Sequence, residues 1–154
     1  MAQKTFISEI LTASDVNLYL AGEGGAWSSF TPEVTQLGSV AVTNTRSRFA
    51  RYGRTIVASF NVLATGTGTA ANGVTVSLPA TAAAAGVIAG VGSLFDASSS
   101  TRYPFQIYLN STTVAQLWTT ASNGASVALG SAVFTAALAA GDIINATFTY
   151  EAAA

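Results

Sequence analysis

The sequence predicts an all-β protein: an antiparallel jelly-roll-like sandwich preceded by a short helical docking arm. Three observations carry that expectation. After Trp27 apolar and polar residues alternate with a period of two along most of the chain, turn residues punctuate the alternation at short intervals, and helix-capping chemistry is confined to residues 1–26.

The arm spans residues 1–26 and the predicted sandwich residues 27–154. In Leu11-Thr12-Ala13-Ser14-Asp15-Val16-Asn17-Leu18-Tyr19-Leu20, Thr12 or Ser14 can cap a helix, Asp15 suits its positive end and Gly22 suits its stop. A helix of two turns is too short to stand alone, so Leu11, Val16 and Leu20 must pack on something. Packing back onto the chain's own domain is one reading; the other is docking into a neighbouring protein. The stretch Gly22-Glu23-Gly24-Gly25 makes a flexible joint behind it.

Strands follow in order. Val34 to Val42 and Phe49 to Tyr52 are short candidates. Ile56, Ala58, Phe60 and Val62 alternate with Val57, Ser59 and Asn61, and Val74, Val76 and Leu78 alternate with Thr75 and Ser77. Val87 to Phe95 comes next, then Phe105, Ile107 and Leu109 set against Gln106 and Asn110. Val114 to Thr119, Val133 to Leu138 and the run Ile144, Ala146, Phe148, Tyr150 complete the set. Gly66-Thr67-Gly68, Asn72-Gly73, Asn110-Ser111, Asn123-Gly124 and Gly141-Asp142 supply the turns. The alanines Ala82 to Ala85, between Pro79 and Gly86, read as a loop or a single turn.

Composition narrows the chemistry. The 154 residues include 6 basic and 7 acidic side chains, 8% charged against about 25% for an average soluble protein. No histidine or cysteine is present, which excludes Ser-His-Asp and Cys-His nucleophiles and the common zinc, copper and haem ligand sets. The seven carboxylates (Glu9, Asp15, Glu23, Glu33, Asp96, Asp142 and Glu151) form no pair close in sequence of the kind a glycosidase needs. Asp142 reads as a turn aspartate and Asp96 as the start of a solvated loop. No enzyme activity, cofactor or metal is therefore expected. A net charge of −1 argues against binding a phosphate backbone. No charge falls between Arg54 and Asp96 or between Arg102 and Asp142, but Thr, Ser, Asn and Gly lace both stretches, so membrane insertion is not expected. The opening Met1-Ala2-Gln3-Lys4-Thr5-Phe6 lacks the pattern of a secretory signal.

Two groups remain as candidate binding residues. Arg46, Arg48, Arg51 and Arg54 are four of the five arginines. On a strand Arg46 and Arg48 share a face and Arg51 takes the other, so contact with another subunit or partner is the leading expectation, with solvation or an anionic ligand as alternatives. Tyr103 and Tyr108 are candidate glycan contacts. Of the two, Tyr108 lies with Gln106 opposite the apolar face of its strand, while Trp118 shares a face with Val114 and Gln116. A surface this poor in charge reads as one covered by other copies of the chain, in a homotrimer on the fold expected.

In order along the chain, the segment Ile10 to Leu20, then Trp27-Ser28-Ser29-Phe30-Thr31-Pro32, Arg51-Tyr52-Gly53-Arg54-Thr55-Ile56-Val57 and Leu78-Pro79 resemble the minor tail proteins of long-tailed phages that infect actinobacteria. The resemblance implies a virion structural protein at the particle's exterior, held to another virion protein by its N-terminal segment and exposing a trimeric β-head, with a host-surface glycan as a further partner. It brings no catalytic residues. A collagen-like or coiled-coil shaft, present in larger members, is missing here. A capsid decoration or head-fibre protein is the alternative within the same class, and a carbohydrate-binding module is the alternative outside it.

Overall fold

The computed structural model describes residues 26–131 and 133–154. The predicted helix, with Leu11, Val16 and Leu20, lies outside the described residues. Among the described residues there is no helix. The strands are β1 (Ser28–Ser29), β2 (Val34–Gln36), β3 (Gly38–Val40), β4 (Val42–Asn44), β5 (Arg48–Tyr52) and β6 (Thr55–Ala64), followed by β7 (Val74–Ser77), β8 (Ile88–Asp96), β9 (Thr101–Leu109), β10 (Val114–Thr120), β11 (Ser126–Ala128) and β12 (Ile143–Glu151).

All of them join one antiparallel sheet in the order β1-β5-β6-β12-β8-β9-β10-β7-β2-β3, with β11 added on β10 and β4 on β6. The sheet curls into a half-barrel around a single core. Chain continuity helps to hold the curl. From β3, at one end of the order, a single residue, Ala41, leads into β4, which pairs with β6 near the other end.

The period of two decides which side chains enter the core. Along β6, Ile56, Ala58, Phe60, Val62 and Ala64 are buried while their neighbours are not. β12 pairs with β6 from Ile143↔Leu63 to Glu151↔Thr55 and brings Ile144, Ala146, Phe148 and Tyr150 to the same side. Each fully buried large aliphatic or aromatic side chain contributes roughly 1.5–3 kcal/mol. Phe148 meets Phe60 edge-on with centroids 6.0 Å apart and stacks on Tyr150 at 5.9 Å. On β8, Gly90 and Gly92 admit this packing: a Cβ at Gly92 would collide with the Asn145 carbonyl and the Phe105 ring, and one at Gly90 with the Thr147 carbonyl and Phe148. The β5–β6 hairpin closes through Gly53-Arg54, with Gly53 at φ +59°, where a right-twisted two-residue turn takes glycine.

Several boundaries differ from the sequence reading. The predicted strand from Val34 to Val42 breaks at Leu37, whose φ of 68° reverses the chain so that Gln36 pairs with Gly38. Val133 to Leu138 is not a strand. Phe134 and Leu138 are buried there, but the backbone is held by the loop and by a side chain. Leu138 donates its N–H to Gln36 Oε1 at 2.7 Å and offers its carbonyl to Gly68 N at 2.8 Å, while Thr135 O accepts from Ala71 N at 3.1 Å. Gln36 is fully buried, and its Nε2 also donates to Ala136 O at 3.0 Å, so one carboxamide replaces a ladder. The short β1 and β11 were not anticipated.

Candidate binding face on the outer side of the sheet

Side chains that alternate away from the core lie on the outer face, and the register sets them in rows. One row crosses six strands: Arg48 on β5 pairs with Ser59, Ser59 with Thr147, Thr147 with Val91, Val91 with Gln106, and Gln106 with Trp118 on β10. At about 4.8 Å per strand, five steps span about 24 Å along the curve of the sheet. A second row, Asn61, Asn145, Ser93 and Pro104, runs beside it.

Two shallow depressions occupy this face. An open trough of about 640 Å³ is bordered by Arg46, Arg48, Asn61, Ser93, Asn145 and Thr147. A smaller one of about 340 Å³ lies between Val91, Gln106, Trp118 and Thr120. Both share Val91 and Gly92, so they adjoin. None of the residues bordering either is acidic.

The two ends differ in chemistry. At the cationic end, the Arg48 guanidinium lies 4.4 Å from the centre of the Trp27 ring, and its buried Nε makes no hydrogen bond among the described residues. Arg46 sits in the turn before β5 rather than on a strand, as the alternation had placed it, because its N–H and that of Thr45 both bond the Asn61 carbonyl at 3.2 and 3.0 Å. At the aromatic end, Tyr108 and Trp118 tilt together with centroids 4.5 Å apart, and Trp118 Nε1 donates to Gln116 Oε1 at 2.9 Å. Between them Ser93 Oγ donates to Asn145 Oδ1 at 3.3 Å, while the Asn61 side chain has no hydrogen-bond partner among the described residues.

The four clustered arginines therefore do not act together. Arg46 and Arg48 border the trough. Arg51, on the other face of β5, donates Nε–H to the Gly53 carbonyl at 2.8 Å. Arg54 donates to Ala152 O and lies 3.2 Å from Glu151, in the one ion pair among the described residues. Tyr108 is on the outer face as the alternation predicts, but Tyr103 points the opposite way and packs its ring on buried Phe134, centroids 5.4 Å apart. The structure thus separates the two tyrosines and pairs Tyr108 with Trp118 instead.

Two of the four described carboxylates, Asp96 and Asp142, are engaged by loop residues. Asp96 is buried and accepts hydrogen bonds from the hydroxyls of Ser98 and Ser99, both at 2.7 Å, which hold its carboxyl below the ordinary value; it is solvated by its own loop rather than by water. Asp142 is buried as well, and accepts the N–H groups of Ala97 and Ala139 at 3.0 and 2.9 Å. Glu33 is exposed, remote from these acids in the ladder. Burial pushes the Tyr150 hydroxyl up, where it donates to Ala80 O at 2.7 Å and accepts from Ala80 N at 3.1 Å.

Asn61, Ser93, Asn145 and Thr147 were not singled out from sequence. A signal existed for two of them, since asparagine is disfavoured in the middle of strands, yet Asn61 and Asn145 sit mid-strand and face each other. No family model, curated protein or solved structure matches this chain.

Proposed function

We propose that the chain is a non-catalytic structural component on the exterior of a phage particle, a minor tail protein whose jelly-roll-like, homotrimeric head faces the host and whose N-terminal helical arm fixes it to another virion protein. The observation that carries the binding role is the outer row from Arg48 to Trp118 with Arg46 beside it: arginines without carboxylate partners among the described residues, neutral amides and hydroxyls, and a paired aromatic end, all turned away from the core. The ordered motifs from Ile10 to Pro79 support the assignment to a particle. The carboxylates engaged in their own loops, away from the trough, favour binding over hydrolysis.

The test is a triple substitution in the arm, Leu11→Asp, Val16→Asp and Leu20→Asp, in the full chain. The purified variant should keep its β circular dichroism and the mass of three chains in light scattering, yet be missing from purified particles. Normal incorporation, or a wild-type chain that stays monomeric at micromolar concentration, would contradict the proposal.

A further inference from the structure

We infer that the outer face takes one linear anionic glycan, laid across the strands with acidic groups at Arg46 and Arg48 and sugar faces toward Trp118 and Tyr108. This rests on the host-facing reading above and names its ligand class. Charge complementarity is the first support. Arg46 and Arg48 border the same trough with no acid among its lining, and Arg48 Nε has no acceptor among the described residues. An arginine fork matches a carboxylate or phosphate, and two arginines at one end of the trough offer an oxyanion more than one cation.

The middle of the strip fits a sugar better than a protein. Asn61, Asn145, Ser93 and Thr147 present donors and acceptors suited to ring hydroxyls, and among the described residues Val91, 64% exposed, is the only large apolar side chain exposed between the two ends. The centre of a protein interface is instead rich in aromatic and aliphatic anchors. A nucleic acid is disfavoured because two cations cannot supply the many phosphate contacts on which such binding depends. At the far end the tilted Tyr108–Trp118 pair offers an apolar platform, and about 24 Å from Arg48 to Trp118 makes room for an oligosaccharide rather than a single sugar.

The two tryptophans of the chain mark the two ends, Trp27 under Arg48 and Trp118 beside Tyr108. The full-length Trp27→Phe and Trp118→Phe variants therefore each report one end by fluorescence. They are titrated with polygalacturonate, a sulfated glycan and a poly(ribitol phosphate) chain, and with the carboxyl-reduced, desulfated and dephosphorylated forms as neutral controls. Expected is binding of at least one anionic member with both ends responding, and affinity about tenfold lower for its neutral form and for Arg48→Gln. Arg51→Gln, on the other face of β5, should bind as the wild type does. Binding by no anionic member, equal binding of the neutral forms, a response at Trp27 alone, or a wild-type affinity in Arg48→Gln overturns the inference. So does an Arg48→Gln chain that falls from trimer to monomer, which would make this face a subunit contact. A chain that binds glycan but is absent from particles keeps this inference and breaks the particle reading; the reverse result breaks this inference alone.

Discussion

Strands β6, β12, β8 and β9 build two faces from one backbone, and the faces obey different constraints. Inward stand Phe60, Phe148, Ala146, Phe105 and Ile107, each 6% exposed or less. Outward, at the adjacent positions, stand Ser59, Thr147, Asn145 and Gln106. The inner face is fixed by volume, since even glycines at Gly90 and Gly92 are set by the rings opposite them. The outer face is free of that demand. Arg48 even carries a buried Nε with no hydrogen-bond partner among the described residues, which runs against folding. Residues that stability does not explain are the ones whose purpose lies in what they touch.

The contrast is sharpest at neighbouring positions. Phe148→Ala should cost about 3–5 kcal/mol, because it empties the space between Phe60 and Tyr150; urea denaturation measures it. A smaller effect is expected at the rim, where Asp96 titrates. Its hydrogen bonds lower the folded pKa beneath the ordinary 3.8, so the unfolded chain takes up the proton first as the pH falls. The stability it supplies is thus complete above that ordinary value and is lost as the pH drops through the lowered one. The gap in urea midpoint between the wild type and Asp96→Asn should be widest at neutral pH and close in acid; a gap independent of pH would break this account. Smallest of all, Thr147→Val on the exposed face should leave stability within about 0.5 kcal/mol. A loss comparable to that of Phe148→Ala would erase the distinction between the faces.

The strands with long, regular alternation were legible in the sequence because both their faces have a constant environment. β6, β7, β9, β10 and β12 fall within a few residues of where the period of two places them. Val133 to Leu138 misled because burial of Phe134 and Leu138 needs no ladder when Gln36, distant in sequence, bonds the backbone in its place. Leu37 was missed because a lone leucine with φ of 68° carries no turn signal. At the candidate site, alternation assigned Tyr108 and Gln106 to the outward side, but it grouped Trp118 with Val114 and Gln116 rather than with Tyr108, and it could not tell that Tyr103 covers Phe134 or that Arg46 leaves the strand.

By itself, then, the sequence determined the all-β character and which residues of each long strand face the core, since both follow from local periodicity. It also removed chemistry that needs histidine or cysteine, since composition alone decides that. Only the tertiary structure decided that the strands join in one curled sheet and that Arg48 stands in a row with Trp118, 70 positions further along the chain. The physical reason is register. Strand order and pairing offset are set by contacts between segments far apart in sequence, and no local pattern encodes which polar residue will stand beside which.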